Sequence, residues 1–200
     1  MNKNIFQAAR ILEQGGVICF PTETVYALAA NALDSSAINR IYSLKGRDFN
    51  KPLAILAKSK LDVANMTITD DRFDKLYDNF SPGPISYILP KKETFILPGD
   101  SNYRLSSLAV RVPDHAIAMQ ILNEANCPVV ATSANISGDE EATDENSVRS
   151  IFSGKVDLIV GGDKSKIGIA STIVDLCAEQ IKILRVGSIS EDEIIQAIKG

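Results

Sequence analysis

The chain has 200 residues, of which 45% are hydrophobic and 23% charged, enough to bury a substantial core. A net charge of −4 argues against a mainly electrostatic nucleic-acid binder, which would be basic. One histidine and three scattered cysteines with no CxxC pair argue against a structural zinc site and fit buried, reduced thiols of a cytoplasmic protein, and no apolar run approaches a membrane span.

In chain order, Ile5, Ala8, Ala9 and Leu12 follow helical spacing and Gly15-Gly16 stops that helix. It reads as an amphipathic helix and not a signal peptide, since charges run through its apolar pattern. "VICF" (17–20) is a short apolar strand. "DSSAINRIYSLKGR" (34–47) opens with capping residues and places Ile38, Ile41 and Leu44 on one face, a helix ending at Gly46. "PLAILA" (52–57) is a buried strand, and "DDRFDKLYDNF" (70–80) is an acidic-capped helix ended by "SPGP". "ISYIL" (85–89) and "LAVRV" (108–112) are strands, "DHAIAMQILNEA" (114–125) is a helix, and "PVVAT" (128–132) is a strand opening into "SANISG". The polar stretch "SGDEEATDEN" (137–146) is expected to be a mobile surface loop. A helix at 144–152, strands at 157–160, 171–176 and 181–186, and a capped helix at 190–198 complete the series. Helices and strands alternate throughout with no linker or composition shift, so the expectation is one α/β layered domain over residues 1–200.

Five stretches carry polar chemistry, most of them in or just after strands, where open α/β sheets hold ligands. "FPTETVYALAANAL" (20–33) leaves a buried strand and at once places Pro21, Thr22, Glu23, Thr24 and Tyr26 in a row, where a plain turn would use Gly, Asn or Asp. "KGRDFNKPLAIL" (45–56) gathers Lys45, Arg47 and Lys51 around a helix end; such a cluster holds phosphate oxygens, although the helix dipole alone accounts for Lys45. "PVVATSANISG" follows a strand with Thr132, Ser133, Asn135 and Ser137, donors for phosphate or carboxylate or simply turn residues. Arg111 in "LAVRVP" and Arg185 in "ILRVG" each sit in a strand and require a carboxylate, water or a ligand. "GGDKSKIG" (161–168) lacks the spacing of a phosphate loop, no GxGxxG follows a strand, and His115 has no carboxylate or nucleophile tied to it by sequence. Arginines, lysines, hydroxyls and one amide, with no evident general base or metal cage, suit a nucleotide and a small zwitterion held for reaction with each other.

"GGVICFPTETVYALAANAL", "KGR…KPL", "SPGP", "AVRVPDH", "TSANISG", "STIVDL" and "LRVG" occur in the order seen in the YrdC-like family, and the chain resembles its threonylcarbamoyl-adenylate synthases over about residues 5–190. The resemblance implies a twisted mixed open α/β sheet flanked by helices around a concave cavity. It implies a nucleotidyltransferase that forms threonylcarbamoyl-AMP and pyrophosphate from L-threonine, bicarbonate or CO2, and ATP, with Mg2+ carried on the ATP phosphates. A partner transferase would then modify an adenosine of certain tRNAs, with at most weak contact between this chain and tRNA. Carried over by position, Thr24, Arg111, Ser133 and Ser171 would contact threonine, and Arg47, Lys51, Ser107, Asn135, Thr143 and Arg185 the nucleotide. Lys45, Arg47, Ser133 and Asn135 match the family's KxR and SxN signature and would be catalytic, with Lys45, Arg47 and Lys51 stabilising charge on the leaving group. Ala27, Leu56, Ala170 and Val186 depart from the family pattern. The competing expectation is a non-catalytic structured-RNA or nucleotide-binding module using the same cavity.

Overall fold

Carboxylates and hydroxyls placed one residue ahead of apolar-periodic segments set most of the helix starts. The structure, a computed structural model, describes residues 3–97 and 106–199. Its helices are α1 (Lys3–Glu13), α2 (Ser35–Lys45), α3 (Lys60–Met66), α4 (Asp71–Phe80), α5 (Ala116–Glu124), α6 (Glu145–Phe152) and α7 (Glu191–Lys199). Asp34, Ser59, Asp70 and Asp144 cap α2, α3, α4 and α6 by accepting from backbone N–H groups of the first turn. Ser190 and Glu193 exchange hydrogen bonds ahead of α7 as a capping box. Gly46 ends α2 in the left-handed region at φ 58°, which turns the chain sharply and sends Arg47 away from the helix axis.

The strands are β1 (Ile18–Phe20), β2 (Ala27–Asn31), β3 (Ala54–Leu56), β4 (Ile85–Pro90), β5 (Ser107–Arg111), β6 (Val129–Ser133), β7 (Leu158–Ile159), β8 (Thr172–Asp175) and β9 (Lys182–Arg185). They form one mixed sheet in the order β7-β1-β2-β6-β3-β5-β4-β8-β9. The pairs β1/β7, β3/β5 and β4/β8 are parallel and the remaining pairs antiparallel. Successive side chains of a strand point to opposite faces, and the two faces here are covered unequally. One face buries Leu28, Ile55, Tyr87, Val110, Val130 and Val174 beneath α2, α3, α4, α6 and α7. The other packs α1 and α5 over β1, β2 and β6 through Leu12, Ile18, Phe20, Ala29, Ile121 and Val129. Among the described residues, none of β4, β5, β8 or β9 joins that second cluster. Half of that face therefore has no helix over it among the described residues, and this half positions the site.

The observed elements agree with the expected alternation, with three differences. β2 and α3 go beyond the expected elements. "ALAAN" has weak intrinsic strand preference, and its pairing on both edges with β1 and β6 overrides that preference. α3 carries a legible signal, since the Ser59 side chain caps Asp62 N and Val63 and Met66 are buried one turn apart. The stretch 137–146, expected to be mobile, has no regular structure at its start but is anchored: Ser137 N donates to Lys45 O, Tyr26 N to Ala142 O and Ser165 N to Thr143 O. Ala142 is buried. The cysteines are free, but only Cys19 is fully buried; Cys127 is half-buried and Cys177, past the end of β8, is exposed. No described helix is long and apolar enough to cross a membrane.

Candidate active site

The uncovered half-face forms a cavity of about 330 Å³. Its floor follows the pleat: Ala54 and Leu56 of β3, Ser86 and Ile88 of β4, Ala109 and Arg111 of β5, Ala131 and Ser133 of β6, all on alternate positions. Ala54 lies opposite both Ala109 and Ala131, so three alanines stand abreast across the central strands. Methyl groups there, where a core would place Val or Leu, leave the depression unfilled. Leu56 lines the cavity while it packs in the second apolar cluster. Volumes of this order are typical of small-molecule sites lined by apolar groups and a few polar ones.

Residues 21–26 form one wall and are braced on both sides. Ile167 N donates to Glu23 O, Gly168 N to Thr24 O, and Ala134 N to Tyr26 O. The Tyr26 hydroxyl donates to Gly162 O at 3.1 Å. Thr22 Oγ1 donates to Val25 O at 2.6 Å and lies 2.9 Å from Thr24 Oγ1. Thr22 has a single hydroxyl proton, and Val25 O takes it, so Thr24 donates to Thr22 and keeps its lone pairs for the cavity. Thr24 is thereby an acceptor, suited to an ammonium or hydroxyl of a ligand.

Four cations line the cavity: Arg47, Lys51, Arg111 and Arg185. Arg47 is aimed by backbone carbonyls, Nε to Lys51 O at 3.1 Å and Nη2 to Pro52 O at 3.2 Å. The Tyr42 hydroxyl donates to the same Lys51 carbonyl, and the Phe49 ring stacks on Tyr42. Arg185 donates to Ser171 through Nε to O at 3.0 Å and Nη2 to Oγ at 3.3 Å. Arg111 differs: Nη2 meets Glu23 Oε1 at 2.6 Å, in a pair almost fully buried, and Nε donates to Gly83 O. Burial lowers the pKa of Arg47; burial, with the charges of Arg111 and Arg47, lowers that of Arg185 against the opposing charge of Glu141. Among the described residues no carboxylate lines the cavity. The hydrogen-bond partners of Arg47 and Arg185 are therefore neutral, which leaves their charge for an anion, whereas Arg111 is paired directly with Glu23.

The structure brings Thr24, Arg47, Lys51, Arg111, Ser133, Ser171 and Arg185 onto one cavity. Lys45 and Asn135 lie behind its wall. Lys45 is 1% exposed and its Nζ donates to Ser133 O at 2.6 Å and to Asn135 O and Oδ1 at 2.8 Å. Asn135 Oδ1 also accepts from Ser133 Oγ, and its Nδ2 donates to Asp139 O. Lys45, expected to neutralise a leaving group directly, has all three ammonium protons taken by protein oxygens in this structure. Burial, then the neighbouring Arg47 charge, pushes the Lys45 pKa down to about 8. The KxR and SxN residues thus form a strut that holds the 133–135 loop against the end of α2. Asn135, expected at the nucleotide, is a member of this strut. Ser107 and Thr143, also expected at the nucleotide, do not line the cavity. Ser107 starts β5 opposite Pro90, four residues along the strand from Arg111, and Thr143 sits outside the 21–26 wall with its carbonyl accepting from Ser165 N. The sequence reading missed Ser86, a cavity-lining hydroxyl buried inside an apolar run. Its signal was a lone serine on the face of β4 opposite Ile85, Tyr87 and Leu89. The partnership of Arg111 with Glu23 had no local signal at all.

The Sua5/YciO/YrdC family model, described as "Telomere recombination", matches residues 10–187. The chain is 38% identical to a threonylcarbamoyl-AMP synthase of Pyrococcus abyssi, over 96% of this chain and 56% of the relative. It is 35% identical to that of Bacillus subtilis, over 95% of this chain and 55% of the relative. It thus spans about half the length of these curated relatives. The crystal structure of P. abyssi Sua5 complexed with L-threonine superposes with a TM-score of 0.90 at 37% identity, covering 97% of this chain and 57% of that one. The twisted mixed sheet flanked by helices is therefore the fold of these proteins.

Proposed function

Because this chain belongs to the Sua5/YciO/YrdC family, we propose that it is a threonylcarbamoyl-AMP synthase, joining L-threonine, bicarbonate or CO2, and ATP into threonylcarbamoyl-AMP with release of pyrophosphate. The observation that carries the reading is the division of charge in one cavity. Among the described residues Arg47, Lys51 and Arg185 have no carboxylate partner at the cavity and suit a polyphosphate, while the Glu23-balanced Arg111, beside Ser86 and its partner Ser171, suits a zwitterion.

The threonine amine captures CO2 as a carbamate. A carbamate oxygen then attacks the α-phosphorus of ATP as the bond to pyrophosphate breaks. The chain's part is to align the two reactants and to neutralise charge on the departing oxygens. Arg47 and Lys51 stand on the loop after α2 and Arg185 on β9, so they meet the phosphates from two sides of the cavity. Lys45 acts at one remove, fixing the loop that presents Ser133. Mg2+ fits this site only as an ion carried by ATP, because the cavity lining among the described residues has no carboxylate to hold it. Bound in that way it would add charge neutralisation at the phosphates. The product is an activated carbamate, so a transferase acting on tRNA is the partner in this reading.

Pyrophosphate release from ATP that requires both threonine and bicarbonate tests the proposal. Release that ignores threonine, or its complete absence under conditions where ATP binds, would defeat it in favour of a nucleotide-binding module.

A further inference from the structure

Ser86 is 4% exposed and lies in β4, a strand with neighbours on both sides. Among the described residues its hydroxyl has a single hydrogen-bond partner, Ser171 Oγ at 2.9 Å. Ser171 is equally buried, and its Oγ also accepts from Arg185 Nη2 at 3.3 Å. An arginine only donates, so it takes one of the two Ser171 lone pairs. The two hydroxyls carry two protons, and the bond between them uses one. One hydroxyl proton of the pair is therefore left for the cavity, and both residues line it.

The register says what stands beside that proton. Tyr87 pairs with Val110, which puts Ser86 beside Arg111 one step along the antiparallel pair. Ser86 pairs with Ile173 on its other side, two residues after Ser171. Arg111 and Ser86 thus stand side by side on β5 and β4, and the hydrogen bond between the two hydroxyls links Ser86 to Ser171, the residue just before β8. Arg111 commits Nε and Nη2 to Gly83 O and Glu23, and among the described residues its Nη1 has no protein partner. A guanidinium N–H and one hydroxyl proton side by side match the two oxygens of a carboxylate.

We infer that Ser86 is a positioning residue for the substrate carboxylate: by donating to Ser171 Oγ it fills the second lone pair there and turns the Ser171 proton toward the carboxylate that Arg111 also holds. The inference rests on the proposed function and deepens its amino-acid subsite. In the Ser86→Ala variant the Ser171 hydroxyl is free to rotate away, and the pairing with Arg111 is lost.

Calorimetric titration of the full chain with L-threonine, L-threoninamide and ATP tests this. Ser86→Ala should weaken L-threonine roughly five- to tenfold. It should leave ATP unchanged, and leave threoninamide, which lacks the carboxylate, unchanged too. Ser86→Thr, which keeps the hydroxyl, should restore L-threonine affinity. Wild-type threonine affinity in Ser86→Ala would overturn the role. So would equal losses for threonine and threoninamide, or no rescue by Ser86→Thr. Failure of the wild-type chain to bind L-threonine at all would instead defeat the proposed function, and this role with it.

Discussion

The two faces of the sheet come from the same strands and differ by one residue of phase. Ile55, Val110 and Val130 point to the covered face; their neighbours Ala54, Ala109 and Ala131 point to the open one. In the linear sequence these strands read as uniformly apolar. What separates the faces is side-chain size more than polarity. Large branched groups fill the space beneath five helices, while methyl groups leave a floor on which Arg111, Ser86 and Ser133 can stand without being crowded out. A buried sheet in this architecture becomes a site where its residues are too small to bury a helix.

The comparison is broken most sharply at the cavity rim. Arg47→Ala should reduce threonine-dependent pyrophosphate release by on the order of a hundred- to a thousandfold, from the loss of one charge stabiliser in the transition state. The denaturation midpoint should barely move, since among the described residues Arg47 bonds only to nearby carbonyls of its own loop. A large drop in midpoint with intact activity would place Arg47 in the structure and not in the site.

Lys45→Met should show the opposite signature. It removes a charged donor from three oxygens and leaves Asn135 O with no other donor among the described residues, and urea denaturation should report a loss of about 2–3 kcal/mol. Activity should fall with the fraction folded and with the placement of Ser133. Unchanged stability with activity abolished would return Lys45 to direct contact with substrate.

Adjacent substitutions in β5 sharpen the contrast between faces. Val110→Ala, on the covered face, should cost about 2 kcal/mol of stability with substrate affinities kept. Ala109→Val, on the open face, should change stability by less than about 1 kcal/mol and weaken substrate binding by filling the floor. If both variants behaved alike, the size argument would fail.

The smallest effect concerns His115, at the start of α5. Among the described residues its buried Nδ1 has no hydrogen-bond partner, and burial lowers its pKa below the usual 6.5 despite the Glu23 charge. The folded state therefore binds less proton than the unfolded chain as pH falls through 6.5, so the His115 contribution disfavours folding below that pH and vanishes above it. An NMR titration of the single histidine should give a value below 6.5. A value above it would mean that Glu23 outweighs burial.

Much of this was legible in order along the chain. Helix caps such as Asp34 and Asp70 announce themselves because the residue that caps is adjacent to the N–H groups it satisfies. The polar segments after strands marked the site, and Arg47, Lys51, Thr24, Ser133, Ser171 and Arg185 do converge on it. The strand at Ala27–Asn31 was not legible, because its stability comes from β1 and β6 and not from alanine itself.

The sequence by itself determined the α/β alternation, the family and the chemical inventory of the site, since each depends on residue type and local spacing. Only the tertiary structure decided which members of that inventory face a ligand. Lys45 and Arg47 are two residues apart, yet one is consumed by the oxygens of Ser133 and Asn135 and the other opens onto the cavity. Arg111 is balanced by Glu23, 88 residues away, and Ser86 meets Ser171 across 85. A donor's role depends on which acceptors lie within about 3 Å of it, and that is a property of the folded sheet that no local pattern encodes.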